Sequence, residues 1–224
     1  QAANCSVMAN AVWRTGATPV FADIDLDTFG SSQEAIRKKI TIKTKMIVAQ
    51  HSFGIPCKID SIVKLSKEKN IFLLEDCALS LGSTIYGISV GNWGDAALFS
   101  TDHSKPINTF IGGLIYSKDA ALIKNIKEYR DTLENLSTDH QKLIFKQLMF
   151  ERKYYNPKKL GLGGVMSYFK VVLQKLKILN ESVSVLTDDY IKPDDKRKSN
   201  YPYPSKFPAF LAKAPDMSAT DPIL

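Results

Sequence analysis

The chain has 224 residues, 44% of them apolar and 24% charged, which is the balance of an ordinary globular protein long enough to bury one sizeable core. Its net charge of +7 is spread along the sequence without interleaved aromatics, which argues against a nucleic-acid partner and suits attraction of phosphorylated small molecules. Cys5, Cys57 and Cys77 form no ligand-spaced pair, which sets aside a disulfide framework or metal site and points to a reducing cytoplasm, and no apolar run reaches the roughly 18 residues of a membrane span.

In chain order, TPVFADID (18–25) reads as a buried strand ending in acids. Ser31 or Ser32 caps a helix through QEAIRKKI, with Glu34 in its first turn. KMIVAQH (45–51) is the next strand. IDSIVKLSKEK (59–69) has apolar residues at 59, 62, 63 and 65 and charges between them, an amphipathic helix. NIFLLED (70–76), DAALFS (95–100) and GLIYS (113–117) read as strands, and a helix follows from about residue 119 to 133. Residues 138–180 read as helical, and 162–179 places Leu162, Val165, Met166, Phe169, Val172, Leu173, Leu176 and Leu179 on one face. Packing of that face on protein outweighs a membrane-surface role, so no membrane partner is expected. Residues 188–208 are dominated by Pro, Lys, Asp and Tyr and read as a linker.

Alternation of apolar strands with helices implies an α/β fold, a three-layer α/β/α arrangement around a mostly parallel sheet, with a helical C-terminal extension. Such sheets bind ligands at the carboxyl ends of their strands. Asp76 and Ser100 stand at two such ends. Lys105 lies in the turn beyond, 29 residues after Asp76 and five after Ser100. Taken singly, each is an ordinary turn or surface residue. Together they supply what pyridoxal phosphate (PLP) requires: an amine to condense with its aldehyde, a carboxylate against its pyridine nitrogen, and a donor for its phosphate.

Four stretches carry a family resemblance: ANAVWRTGATPVFADID (9–25), TKMIVAQHSFGIPCKID (44–60), FLLEDCALSLGSTIYGISVGNWGDAALFS (72–100) and FSTDHSKPINTFIGGLIYS (99–117). In order and nearly without gaps, they resemble the DegT/DnrJ/StrS-like sugar aminotransferases, which have the type I PLP fold. The resemblance implies that Lys105 is the cofactor-bonding lysine, Asp76 the partner of the pyridine nitrogen and Ser100 a phosphate contact. It places His103 and His51 as supporting residues behind the site, and Gly112 and Gly113 at a glycine pair beyond the lysine turn. Leu79 and Leu81 stand where the family usually has Gln and His, and Phe110 where it has Gly.

The implied organisation is a PLP-binding large domain over 1–135 that lacks its N-terminal part. A helical region over 136–187 follows, and then a linker or the start of a small domain over 188–224. The implied activity is transfer of an amino group, usually from glutamate, to a nucleotide-linked keto-sugar by a cytoplasmic homodimer, in polysaccharide or related biosynthesis. A PLP-dependent sugar dehydratase is one alternative; such relatives carry His in place of the lysine. A degenerate homologue acting as a binding subunit is another.

Overall fold

The computed structural model describes residues 6–102, 105–107, 109, 112–133, 135, 137–154 and 160–175. The chain divides into two compact units, with a boundary between Tyr129 and Arg130, near the end of the helix that spans Ala120–Thr132.

In the first unit, helix α1 (Ser6–Arg14) precedes α2 (Gln33–Lys39), strand β1 (Met46–Gln50), α3 (Ile59–Lys69) and β2 (Phe72–Asp76). A short hairpin, β3 (Thr84–Ile85) and β4 (Ile88–Ser89), leads to β5 (Ala96–Ser100), β6 (Gly113–Tyr116) and α4 (Ala120–Thr132). The main sheet has the order β1-β2-β5-β6. β1, β2 and β5 run parallel, and β6 is antiparallel to β5. The fold is therefore α/β with a mostly parallel sheet.

The strands are apolar on both faces because helices must cover a parallel sheet. Ile47, Ala49 and Leu73 point to the face covered by α2 and α3, where they pack with Ile36, Ile59, Ile62 and Leu65. Three of the apolar positions of α3 that sequence periodicity selects, 59, 62 and 65, are fully buried, and Val63 packs against the same cluster. Asn70 ends α3 in the left-handed conformation (φ 51°), which lets the chain turn directly into β2. Ser32, not Ser31, caps α2: its Oγ accepts the Ala35 N–H at 3.3 Å. Ser31 is buried instead, and its Oγ accepts the Gln50 N–H at 2.9 Å, tying the start of α2 to β1.

Residues 18–25 differ from the expected strand. Only one isolated bridge, Ile24 with Ser31, forms there. Asp25 Oδ1 instead accepts the N–H groups of Asp27 and Thr28, both at 3.1 Å, an Asx-type turn that diverts the backbone from a ladder. Lys58 Nζ bridges Asp25 and Asp27 at 2.9 Å each, fastening this turn to the start of α3.

The second unit is a helical hairpin of α5 (Thr138–Tyr154) and α6 (Leu160–Lys175). Residue 154 lies against residue 163, and residue 147 against residue 170, so the two helices are antiparallel. Ile144 and Leu148 are its buried apolar residues. The expected linker and small-domain segment, 188–224, lies outside the described residues.

Candidate functional site

Parallel pairing sets the geometry. Gln50 is in register with Asp76, and Asp76 with Leu98. Paired residues share a sheet face, and so do residues two apart along one strand. Gln50, Asp76 and Ser100 therefore lie on one face, opposite the α2–α3 side, at the carboxyl ends of three adjacent strands. Strand spacing and rise put the Cα atoms of Asp76 and Ser100 on the order of 8 Å apart.

Lys105 follows in the excursion between β5 and β6. Its N–H donates to the Asp102 carbonyl at 2.9 Å, and its side chain is half-buried. The base of that excursion is closed by buried threonines. The Thr109 N–H donates to the Thr101 carbonyl at 2.9 Å, and Thr109 Oγ1 lies 2.8 Å from Thr101 Oγ1. The Thr101 N–H in turn reaches the Gly112 carbonyl at 3.0 Å. Gly112 holds φ 130°, outside the range of most side chains, so the glycine pair serves the backbone path that returns the chain to β6. Ser100 Oγ accepts the Asp102 N–H at 3.4 Å.

Asp76 is only 5% exposed. Burial raises its carboxyl above the ordinary aspartate range, against the opposing pull of the Ala78 N–H and of the Lys105 charge. Oδ1 accepts the Ala78 N–H at 3.1 Å, and Oδ2 has no hydrogen-bond donor among the described residues. Beside it, Gln50 Oε1 is buried and also lacks a partner there. A carboxylate left short of donors in a buried setting is suited to a cationic N–H ligand.

His51 sits elsewhere. Its backbone N–H extends the β1–β2 ladder to the Asp76 carbonyl at 3.1 Å, but its fully buried ring joins Glu75. Nδ1 accepts the Cys57 N–H at 3.1 Å, so the ring proton is on Nε2, 3.2 Å from Glu75 Oε2. His103 and Phe110 lie outside the described residues. Leu79 is half-buried and Leu81 is 39% exposed, in the turn after β2.

Glu75 is the residue that sequence reasoning passed over. It has no exposure, yet it accepts four N–H donors: Trp93 and Gly94 at 2.7 Å, Gly91 at 2.8 Å, and His51. Burial pushes its carboxyl up, but these contacts outweigh it and hold the group below the ordinary glutamate value. Adjacent acids thus take opposite roles. Glu75 is an ionised clamp that holds the 91–94 turn under β5, and Asp76, with one N–H donor, lies on the opposite sheet face. The available signal was an acid inside an otherwise apolar strand, since a buried charge needs dedicated partners. His51, Glu75 and Cys77 bring three potential metal donors within 4.8 Å of one another. The first two are engaged with protein groups, and burial keeps the Cys77 thiol protonated by pushing it well up.

The family model for the DegT/DnrJ/EryC1/StrS aminotransferase family matches residues 3–167. GDP-perosamine synthase of Escherichia coli O157:H7 is 44% identical over 113 residues, which is 50% of this chain and 31% of that protein. An aminotransferase structure from Psychrobacter cryohalolentis aligns with TM-score 0.56 and 35% identity over 58% of this chain and 33% of that one. Helicobacter pylori PseC, an aminotransferase involved in the biosynthesis of pseudoaminic acid, aligns with TM-score 0.54 and 32% identity over 59% of this chain and 35% of that one. The chain thus spans about a third of the length of these relatives. With a match over most of its length, the chain belongs to the DegT/DnrJ/EryC1/StrS aminotransferase family.

Proposed function

We propose that the protein carrying this chain is a PLP-dependent aminotransferase that converts a nucleotide-linked keto-sugar to an amino-sugar, with glutamate as amino donor. The observation that carries the reading is the placement of Asp76 and Ser100 on one face at neighbouring strand ends, with Lys105 in the closed excursion that follows.

The donor set fits the cofactor. Asp76 Oδ2, short of a donor, would accept the pyridinium N–H; the Lys105 amine would bond the aldehyde carbon; Ser100 Oγ–H would donate to the phosphate. When bound, the cofactor supplies an electron sink for the carbon that gains or loses the amino group. Asp76 would keep that ring protonated, because an ion pair in a buried site favours both charged partners. The Lys105 amine would hold and release the proton exchanged at the substrate carbon, as general base and then acid. The Thr101–Thr109 closure fixes the lysine's loop, which limits the orientational freedom that the transfer must overcome.

The substrate class rests on the relatives, several of which are named for nucleotide-sugar amination. A homodimer with a shared site belongs to the same reading. Lys105 favours amination over the dehydratase alternative, which uses His at that position.

The test is visible absorption on adding PLP to the purified protein, with Lys105→Ala beside it. The unsubstituted protein should develop the band of a lysine-bound cofactor and turn over. The variant should do neither. A variant that keeps both would remove Lys105 from the role.

A further inference from the structure

Gln50 ends β1 and is only 8% exposed. Ser31 holds its backbone on both sides: the Gln50 N–H donates to Ser31 Oγ at 2.9 Å, and the Gln50 carbonyl accepts the Ser31 N–H at 3.2 Å. The side chain has no such hold, and its Oε1 is buried without a hydrogen-bond partner among the described residues. The rest of β1, MIVA, is apolar, and an apolar residue at position 50 would avoid the desolvation cost of an unpaired amide oxygen.

Gln50 is in register with Asp76, so the two side chains leave neighbouring strands on one face, from Cα atoms about 4.8 Å apart. Asp76 Oδ1 takes the Ala78 N–H, and Oδ2 has no donor among the described residues. Two polar side chains thus stand side by side with unused hydrogen-bonding capacity, at the carboxyl ends of parallel strands where such sheets take ligands. The pair fits one ligand that carries two polar groups.

The strand order β1-β2-β5 says which part of that ligand faces Gln50. On the PLP ring the nitrogen lies opposite the aldehyde carbon, and the phosphate arm and the hydroxyl flank that carbon on either side. With the nitrogen on Asp76 of β2 and the phosphate drawn to Ser100 of β5, the hydroxyl-bearing edge faces β1. Glutamine is one methylene longer than aspartate, so from a paired position its amide reaches past the ring nitrogen along that edge. An amide can present either its oxygen or its N–H to the same space by turning over. We propose that Gln50 is a further cofactor-binding residue, its amide N–H donating to the ionised ring oxygen of PLP. Gln50 has this role only with the ring seated as in the proposed function.

Gln50→Met and Gln50→Leu, made in the purified protein that carries this chain, test the proposal. Both replacements nearly conserve volume and remove the amide. Without PLP, the urea unfolding midpoint of each variant should equal or exceed that of the unsubstituted protein, because the unpaired buried oxygen is gone. On titration with PLP, affinity read by visible absorbance should fall about tenfold in each, the worth of one hydrogen bond to a charged group. The pH midpoint of the visible band should rise by about one unit. A donor to the ring oxygen favours its ionised form, so without it the oxygen keeps the proton it shares with the adjacent cofactor nitrogen to higher pH. A lower unfolding midpoint of the variants without PLP overturns the proposal, by assigning the amide to a protein partner. Unchanged affinity with an unchanged pH midpoint also overturns it, and leaves the roles of Asp76 and Lys105 standing. Absence of a visible band in the unsubstituted protein overturns this proposal and the proposed function together.

Discussion

Replacing Glu75 by glutamine exchanges one oxygen for an NH2 group in a side chain with no exposure. Glu75 Oε1 accepts from Trp93 and Gly94, and Oε2 accepts from Gly91 and His51. An amide retains one acceptor, so in either orientation two N–H donors face an NH2. His51 has no escape by tautomer exchange, because its Nδ1 already accepts the Cys57 N–H. Each buried unsatisfied donor costs about 1–3 kcal/mol, so Glu75→Gln should destabilise the fold by about 2–6 kcal/mol. That is a large share of the 5–15 kcal/mol typical of a folded domain. Urea unfolding followed by circular dichroism would read it as a lower midpoint with an unchanged slope. A loss below about 1 kcal/mol would refute the reasoning, since it would mean that water or a shifted turn satisfies the stranded donors.

The same residue has a pH signature. The Glu75 carboxyl is held below the ordinary value of 4.5, so its folded pKa is lower than its unfolded one. Its contribution is therefore full above that ordinary value and is lost as pH falls through the folded pKa. The stability gap between the unsubstituted protein and Glu75→Gln should shrink on acidification below it.

Asp76 predicts the reverse. Burial raises its carboxyl above the ordinary 3.8, so its charged form costs stability above the folded pKa, and the cost vanishes as pH falls through it. Asp76→Asn keeps an acceptor for the Ala78 N–H and should raise the unfolding midpoint of the cofactor-free protein at neutral pH, while weakening PLP binding measured by absorbance titration at least tenfold. A lower midpoint would contradict the assignment of Asp76 as a stability cost kept for ligand binding. Gly91→Ala should cost about 2–4 kcal/mol by thermal or urea unfolding, the sum of a left-handed alanine and overpacking. Gly91 has φ 89°, and an added Cβ would meet Phe99 Cζ at 2.7 Å. Cys57 and Cys77 should resist a disulfide-exchange reagent at mildly alkaline pH until the protein unfolds: both are buried, the Cys57 thiol is pushed up to about 12, and the Cys77 thiol is pushed up further.

Elements whose signal is local were legible in the sequence. α3 matches its periodic segment, 59–69, because its three buried positions fall on one 3.6-residue stripe. The strands at 46–50, 72–76 and 96–100 follow from apolar runs bounded by turn residues. Residues 18–25 misled because an apolar run does not reveal whether a ladder partner is available, and the Asp25 side chain captured the backbone instead. The β3–β4 hairpin and α1 were missed. The first is two residues per strand, and the second is a nine-residue helix whose buried positions, Ala9 and Asn10, include a polar one.

For the site, family resemblance supplied Asp76, Ser100 and Lys105, and strand register explains why two of them share a face. Gln50 and Glu75 were not legible. Their significance lies in what does or does not hydrogen-bond to them in three dimensions, and no spacing rule encodes that. The placement of His51 behind Glu75 likewise depends on which way a loop residue turns after β1.

The proposed function stands on Lys105 taking the cofactor. Borohydride reduction of the purified protein in the presence of PLP, followed by peptide mass spectrometry, locates the lysine that has been covalently marked. One dominant modified peptide is expected, carrying the pyridoxyl group on Lys105 and lost in Lys105→Ala. Modification centred on another lysine, or scattered over many with Lys105 unmarked, would contradict it.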